Sequence, residues 1–330
     1  MQIHAYAAKA PKSQLAPFTY EAGELGPFDL LLEISHCGLC HSDIHLIDND
    51  WNRTVYPLVP GHEVVGRIVR KGTLVELPLG ARVGVSWLHS SCLQCPTCLS
   101  GDNQVCPQKK NTCIGHHGGF ATHMTADSRF VFPIPEALPS EAAAPLLCAG
   151  ATVYAPLRRW HVQAPDRVAV IGIGGLGHVA LQFAKAFGCE VTAISSSPGK
   201  QADAIRFGAS ELLSLEQMQG RKLHYDFILS TVHADLDWNL VLSLLKPSGT
   251  LCFLGRPAKP LSFDVAGVLS TQRTVTGSST ANRAVMHEML EFAAKRKIAP
   301  QIELMKLVDV NKAIELVRHN KARYRIVLTP

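Results

Sequence analysis

Four cysteines lie close together and have the spacing of metal ligands. They fall within fifteen residues, in the pattern Cys92-x2-Cys95-x2-Cys98-x7-Cys106. Four thiolates at this spacing can close a tetrahedron around zinc and leave no position for a substrate. The pattern therefore predicts a structural zinc site within residues 89–113, and we name Cys92, Cys95, Cys98 and Cys106 the four-cysteine lobe.

A zinc module that binds nucleic acid is an alternative interpretation of this lobe. Such a module needs a basic surface and aromatic residues that stack on bases. The lobe has few basic residues and no interleaved aromatic residues. Basic residues occur elsewhere as scattered short pairs such as Lys109-Lys110 and Arg158-Arg159, and the formal charge is only +5. The sequence predicts no nucleic-acid partner.

A second set of ligand-type residues is spread widely along the chain. Cys37 and Cys40 form a C-x-x-C pair, His62 is followed by Glu63, and Cys148 comes much later. The pair alone is compatible with a redox couple, a zinc knuckle or a reactive metal site. His62 by itself is equally compatible with a core histidine, so spacing leaves these alternatives open.

A glycine-rich segment has the pattern of a dinucleotide-binding turn, Gly172-Ile173-Gly174-Gly175-Leu176-Gly177. It follows the apolar run 168–171 and precedes an apolar, helix-forming stretch. Such glycines permit a tight turn and the close approach of a pyrophosphate to a helix N-terminus. The alternative is a glycine-rich turn without a ligand.

The residues after the next predicted strand bear on the choice of cofactor. NAD sites usually place an acidic residue there to accept from the ribose 2′-hydroxyl, whereas this chain has Ser195, Ser196, Ser197 and then Lys200. Hydroxyl donors and an ammonium group suit a 2′-phosphate. The segment predicts NADPH rather than NADH, with a plain polar loop as the alternative.

The secondary structure that must position these residues differs between two parts of the chain. The first ~145 residues read as short β segments, for example 29–35, 63–69 and 81–85, separated by turns. From residue 167 apolar strands alternate with amphipathic helices, which indicates a parallel, doubly wound sheet. An α/β fold with two domains also agrees with the length of 330 residues.

The composition points to a globular protein in a reducing compartment. The first six residues lack the pattern of a secretory signal, and the apolar run 168–184 contains four glycines and a histidine, unlike a membrane span. We therefore expect a cytoplasmic protein without a membrane partner. Its ten cysteines favour metal ligation or catalysis over disulfides.

The chain resembles the medium-chain zinc-dependent alcohol dehydrogenases, and among them the cinnamyl-alcohol-dehydrogenase-like branch of NADPH-dependent aldehyde reductases. The resemblance rests on residues 40–43, 61–63, 147–154, 174–178 and 323–325 together with the four-cysteine lobe. It implies a GroES-like, mostly β catalytic domain with the active site in the cleft beside a Rossmann domain. The implied boundaries are 1–149, 150–280 for the cofactor domain, and 281–330 returning to the catalytic domain. A homodimer is also implied.

The resemblance assigns roles that spacing could not. It implies that Cys40, His62 and Cys148 hold the reactive zinc, with Cys37 a neighbour only. Glu63 either takes the fourth position when substrate leaves or never touches the metal, and Asp43 accepts from the free ring nitrogen of His62.

The same resemblance implies the proton and cofactor contacts. Ser42 contacts the substrate oxygen and His45 completes a relay to solvent. His41 and Arg325 approach the cofactor pyrophosphate, and Thr152 is also among the implied cofactor contacts. Trp51, Trp87 and Leu88 fall in segments that line the substrate pocket of relatives, which favours aromatic or medium-length aliphatic aldehydes, reversibly with primary alcohols.

Two further functions compete with an aldehyde reductase. A zinc polyol dehydrogenase commonly carries an acidic residue after the second strand, which is absent from residues 195–200. Loss of a zinc ligand would favour a catalytically silent nucleotide-binding protein. All three implied ligands are present, which favours an enzyme. Zinc content and aldehyde-dependent NADPH oxidation separate the enzyme from the silent protein and from a nucleic-acid binder.

Overall fold

The protein folds into two compact units. The computed structural model describes residues 1–221 and 223–330. One unit contains Met1–Ala151 and Ala281–Pro330, and the other contains Thr152–Thr280. The C-terminal segment therefore returns to the unit that the N-terminal segment begins.

The N-terminal segment consists of short strands with few helical turns. Its strands are β1 (Gln2–Ala7), β2 (Ala16–Glu21), β3 (Asp29–Leu39), β4 (Glu63–Lys71), β5 (Arg82–Val85), β6 (Leu88–Ser90), β7 (Lys110–Asn111), β8 (His123–Asp127) and β9 (Val131–Pro133). Its α-helices are α1 (His41–Asp48), α2 (Pro96–Leu99) and α3 (Ser140–Pro145). A π-helical turn, Leu146–Gly150, follows α3 and leads into the next helix.

The middle of the chain alternates helices and strands. In order these are α4 (Ala151–Arg159), β10 (Arg167–Ile171), α5 (Gly177–Ala186), β11 (Glu190–Ile194), α6 (Gln201–Arg206), β12 (Glu211–Leu213), β13 (Tyr225–Ser230), α7 (Trp238–Ser243), β14 (Leu245–Phe253), α8 (Ala266–Leu269) and β15 (Thr274–Gly277). The C-terminal segment adds α9 (Arg283–Arg296), β16 (Ile302–Lys306), α10 (Val310–Arg318) and β17 (Arg325–Thr329).

The sheet of the first unit brings three distant chain segments together. Its strand order is β16-β17-β3-β4-β5-β9, and β8 pairs with β3. β3 ends at Leu39, and it pairs antiparallel with β4, where Gly38 lies opposite Glu63. β17 joins the other edge of β3, with Ile326 opposite Leu39. The chain segments around residues 40, 63 and 325 therefore meet at one end of this sheet.

The second unit is a six-stranded parallel sheet in the order β12-β11-β10-β13-β14-β15. Counted within the unit this is the order 3-2-1-4-5-6, which is typical of a Rossmann fold. The α/β prediction and its doubly wound parallel sheet are confirmed. The strands are apolar on both faces because helices cover a parallel sheet from both sides. Ligands of such sheets bind beyond the carboxyl ends of the strands at the point where the order reverses, between β10 and β13.

One helix buries a different face from the one that its sequence predicts. The spacing over residues 283–297 predicts a helix with Val285, Met289, Phe292 and Ala293 on one side, whereas α9 buries Met286, Met289, Leu290 and Ala293. Both sets have helical spacing, so the choice between them depends on which side of the helix meets the rest of the unit. Within residues 1–221 and 223–330, no helix is both long and apolar enough to cross a membrane.

The turn between β10 and α5 depends on glycine for a steric reason. Gly172 has φ of +91°, and a Cβ atom on Gly177 would lie 1.8 Å from the Gly172 carbonyl oxygen. The first turn of α5 therefore packs directly on the end of β10, as a dinucleotide-binding turn requires.

We expect Gly177→Ala to lower the thermal unfolding midpoint by several degrees, because relieving the backbone clash costs about 1–3 kcal/mol. The matched control is Gly267→Ala in α8, where an added Cβ meets nothing within 4 Å. Alanine favours a helix, so the control midpoint should be unchanged or slightly higher. Equal midpoints for the two variants would contradict the close packing of α5 on β10.

Candidate metal centres and cofactor site

The four-cysteine lobe has the geometry of a tetrahedral metal site. The sulfur atoms of Cys92 and Cys98 lie 3.9 Å apart, those of Cys95 and Cys106 3.8 Å, and those of Cys106 and Cys92 3.6 Å. Metal–sulfur bonds of about 2.3 Å in a tetrahedron place the sulfurs about 3.8 Å apart. A disulfide would need about 2.05 Å. The donor set and spacing therefore fit a closed site of four sulfurs.

Local backbone groups orient these sulfurs. The N–H of Cys95 donates to the sulfur of Cys92, and the N–H of Gln108 donates to the sulfur of Cys106, both at 3.4 Å. The Ser91 hydroxyl beside Cys98 lowers the pKa of that thiol to about 6. Thiolates are the form that binds metal, so this environment favours binding.

A second group combines two thiols, an imidazole and a carboxylate, and we name Cys40, His62, Glu63 and Cys148 the mixed cluster. One ligand atom from each residue lies within 4.8 Å of those of the others. Cys40 immediately precedes α1, His62 and Glu63 stand at the start of β4, and Cys148 lies in the π-helical turn. Such turns are frequent at functional sites because they redirect a side chain within a helix.

Asp43 connects two members of the mixed cluster. Its Oδ1 accepts from His62 Nδ1 at 2.9 Å and from the Gly61 N–H at 3.0 Å, and its Oδ2 accepts from the Cys40 N–H at 3.0 Å. Both Asp43 and His62 are fully buried. The three donors compensate the buried carboxylate and fix the imidazole with Nδ1 protonated.

The other ring nitrogen of His62 has the environment of a metal ligand. Nε2 is buried and has no hydrogen-bond partner among residues 1–221 and 223–330. Because Nδ1 carries the proton that Asp43 accepts, Nε2 presents a lone pair towards the mixed cluster. A buried nitrogen without a partner is costly, and a metal ion would remove that cost. The residues present therefore fit zinc.

The two thiols of the mixed cluster, Cys40 and Cys148, differ in pKa. The adjacent Cys148 thiol holds the pKa of Cys40 well below its usual value, and His62 acts in the same direction. Cys37 is buried, lies outside the mixed cluster, and its thiol donates to the Gly38 carbonyl.

Glu63 is neutralised by a residue from the far end of the chain. Arg325 Nη2 donates to both carboxylate oxygens of Glu63, and the two side chains are almost completely buried. Burial raises the pKa of Glu63 to about 7, and the Arg325 cation acts in the opposite direction. Gly38 leaves the space for this carboxylate, since a Cβ there would lie 2.0 Å from Glu63 Oε2.

The residues predicted for the proton relay both lie on α1. His41 and Ser42 form the first turn of α1, immediately after Cys40. His45 is one turn later, where its Nδ1 bonds Asp50 Oδ2 at 2.7 Å and its side chain is about one-third exposed. The structure thus places His45 at the solvent side of this helix, and contact with a substrate stays a prediction.

The predicted cofactor residues of the second unit converge on the carboxyl ends of β10 and β11. Gly174 has open space where a Cβ would point, and α5 begins at Gly177. Ser195 directly follows β11, and Lys200 Nζ donates to the Ile173 carbonyl at 2.7 Å. Lys200 is thereby tethered to the glycine-rich turn. Other predicted members are Gly175 and Leu176 within that turn, Ser196 and Ser197, which are exposed, and Thr152, which is buried in α4.

Sequence reasoning missed three features of these sites. Thr231, after β13, donates to the carbonyls of Ile171 and Gly172, both at 3.0 Å, and so joins the two strands where the order reverses. The Arg325–Glu63 pair spans 262 residues and has no local signal. Arg53 places its guanidinium over Trp51 and Trp87, a contact that only the fold creates.

Comparison with known proteins decides the family. Residues 26–136 match the alcohol dehydrogenase GroES-like domain, and residues 175–295 match the zinc-binding dehydrogenase domain. The aldehyde reductase AdhA of Synechocystis sp. is 40% identical over 99% of this chain and 98% of its own length. This chain belongs to the zinc-binding alcohol dehydrogenase family.

Solved structures of zinc-binding alcohol dehydrogenases agree with that membership. A cinnamyl alcohol dehydrogenase from Sorghum bicolor is 37% identical with a TM-score of 0.95, covering 100% of this chain and 98% of the other. The cinnamyl alcohol dehydrogenase from Helicobacter pylori, solved with NADP(H), is 31% identical with a TM-score of 0.93, again over 100% and 98%. The predicted family, its GroES-like and Rossmann folds and its dehydrogenase or aldehyde reductase function are confirmed.

The carboxylate that joins two members of the mixed cluster can be tested directly. We expect Asp43→Asn to weaken zinc binding at the mixed cluster about 10- to 100-fold, because an amide cannot accept from all three donors. Chelator competition followed by elemental analysis measures the loss, and zinc in the four-cysteine lobe should persist. Asp50→Asn is the matched control, since Asp50 bonds the more exposed His45. Unchanged affinity in Asp43→Asn would contradict an orienting role.

Proposed function

We propose that this chain reduces aromatic and aliphatic aldehydes with NADPH, reversibly with primary alcohols, and that Cys40, His62 and Cys148 hold its catalytic zinc ion. The observation that carries the proposal is the environment of His62 Nε2. This nitrogen is buried, has no hydrogen-bond partner among the described residues, and lies in a cluster with two thiols. Two thiolates and one imidazole are an open ligand set, in contrast to the four sulfurs of the lobe, which we propose hold a structural zinc.

Zinc bound at the mixed cluster would act as a Lewis acid towards a carbonyl oxygen. The chain's own contribution is to keep the ligand set open and correctly charged. Asp43 fixes the ring of His62, and the environment of Cys40 favours its thiolate. Arg325 engages both oxygens of Glu63, so that this carboxylate is satisfied by a cation and leaves the fourth position to substrate.

Reduction of an aldehyde also requires a proton for the product oxygen. We assign its delivery to Ser42 and His45. Ser42 stands two residues after Cys40 in the first turn of α1, and His45 lies one turn along at the solvent side. Asp50 accepts from the imidazole of His45 and so orients its ring.

Bound NADPH would supply the hydride, and residues of the glycine-rich turn and of the loop after β11 would hold it. The turn from Gly172 to Gly177 and the N-terminus of α5 suit the pyrophosphate, since free N–H groups point outward there. Ser195, Ser196, Ser197 and Lys200 suit the 2′-phosphate, and the NADP(H) bound by the Helicobacter pylori relative supports this choice. His41, Thr152 and Arg325 are proposed as further cofactor contacts.

The proposal also covers the domain boundaries, the oligomeric state and the cellular compartment. Residues 1–149 with 281–330 form the catalytic domain and 150–280 the cofactor domain. A homodimer is supported by the edge position of β15, because an unpaired strand edge can continue a sheet in a second copy. All ten cysteines are free thiols, which supports a cytoplasmic location.

Metal content and turnover test the proposal together. The purified protein should contain about two zinc ions per chain and oxidise NADPH only when benzaldehyde or butanal is present. Cys148→Ala should lose one zinc ion and all measurable turnover while keeping the other zinc ion. One zinc ion confined to the four-cysteine lobe of the unaltered protein, with no turnover, would instead establish a silent nucleotide-binding protein.

Cofactor preference is tested at the end of β11. We expect Ser195→Asp to lower kcat/KM for NADPH at least tenfold, because the carboxylate repels a 2′-phosphate. The fold should survive, since Ser195 Oγ accepts from the Ser197 N–H and an aspartate oxygen can accept the same bond. Ser195→Ala is the control and should change kcat/KM much less. Comparable efficiency of the unaltered enzyme with NADPH and NADH would contradict the proposed 2′-phosphate site.

A further inference from the structure

An aromatic wall extends outward from the mixed cluster. The Trp87 ring meets the His62 ring edge-on, with centroids 4.9 Å apart and planes at 83°. Trp51 in turn meets Trp87 at 5.9 Å and 86°. The two indoles therefore form a continuous apolar surface that begins at a ligand of the mixed cluster. A carbon chain or ring that starts at that ligand can lie against them.

A single cation covers the outer part of this wall. The Arg53 guanidinium carbon lies 4.8 Å from the Trp51 ring centroid and 5.8 Å from that of Trp87. The Arg53 N–H donates to Asn49 Oδ1 at 3.0 Å, which fixes the turn that carries the side chain. Contact with two π faces holds a guanidinium in place while leaving its N–H edge available for hydrogen bonds.

Arg53 has no anionic partner within residues 1–221 and 223–330. The nearby carboxylates in the sequence are both engaged elsewhere, since Asp48 binds Arg318 at 2.5 and 2.6 Å and Asp50 binds His45 at 2.7 Å. Burial lowers the pKa of Arg53, whereas Asp48 raises the pKa of Arg318. Arg53 is exposed, and its guanidinium lies over two indoles without a counter-ion among the described residues, which makes it a ready site for a carboxylate.

The position of this guanidinium relative to the mixed cluster restricts the ligand. The Trp87 ring neighbours both groups, so the guanidinium carbon of Arg53 lies at most 5.8 Å plus 4.9 Å from the centroid of the His62 ring. This span suits the two ends of one small molecule. A carbonyl at the mixed cluster and a carboxylate at Arg53 would place the carbon skeleton on the indoles.

We propose that Arg53 is a specificity-determining residue that binds a carboxylate on the substrate, so that the preferred substrates are aldehydes with a carboxylate at the end remote from the carbonyl. The inference rests on the proposed aldehyde reductase function. Arg53 contributes a charge-assisted, two-point contact, and Trp51 and Trp87 contribute apolar contact to the intervening carbons.

Matched pairs of aldehydes test the proposal, because their members differ chiefly by the carboxylate. The pairs are 4-formylbenzoate with benzaldehyde and 4-oxobutanoate with butanal. The unaltered enzyme should show kcat/KM at least tenfold higher for the charged member of a pair. Arg53→Gln should remove that advantage and change kcat/KM for benzaldehyde and butanal by less than about threefold, and Arg53→Lys should keep part of the advantage. Added salt should reduce the preference.

Arg296→Gln is the matched control, because Arg296 also lies over an aromatic ring, that of Phe292 at 5.7 Å. It should leave the preference unchanged. Equal efficiency for charged and uncharged aldehydes, or an equal loss for both in Arg53→Gln, would overturn the proposal and leave Arg53 as a cover for the indoles.

A binding measurement separates this inference from the proposed function. Trp51 and Trp87 are two of the four tryptophans of the chain, so a ligand that lies against them should change the tryptophan fluorescence. Titration with 4-carbamoylbenzoate and with benzamide therefore needs no turnover. The carboxylate compound should bind at least tenfold more tightly, and Arg53→Gln should abolish the difference. If neither aldehyde of a pair is reduced, the proposed function fails, and the titration alone then decides whether Arg53 binds a carboxylate.

Discussion

A carboxylate buried away from water must be compensated by hydrogen-bond donors, and Asp43 is compensated by three of them. The donors come from Cys40, Gly61 and His62, so one anion ties the start of α1 to the start of β4. Any shift of either segment would leave a charge or a donor unpaired, which costs several kcal/mol in a protein interior. The relative positions of Cys40 and His62 within the mixed cluster therefore depend on Asp43.

The two metal-binding groups differ in how far the chain must be folded before they exist. Cys92, Cys95, Cys98 and Cys106 approach one another through a short local loop with its own N–H···S contacts. The mixed cluster needs the β3–β4 pairing, the π-helical turn and, for Glu63, the last strand. A site formed by one short loop is suited to a structural metal ion. A site assembled from distant segments can keep one face open to substrate, as the proposed reaction requires.

The same contrast explains what could be predicted from sequence. Apolar periodicity and glycine placement predicted the parallel sheet and the turn at Gly172, and cysteine spacing alone predicted the four-cysteine lobe. The members of the mixed cluster were selected only through family resemblance, because no local rule joins Cys148 to Cys40. The buried face of α9, the Arg325–Glu63 pair and the position of Arg53 over two indoles depend on packing between distant segments, which periodicity does not encode.

The pairing of Glu63 with Arg325 has a consequence for the order in which the protein matures. Arg325 follows Glu63 by 262 residues, so during synthesis the carboxylate stands without its cation long after the thiols and imidazole have left the ribosome. Until β17 adds to the edge of β3, the Glu63 carboxylate lacks this cation. Docking of the final strand is thus the event that compensates the charge of Glu63, so a fully paired mixed cluster requires a complete chain.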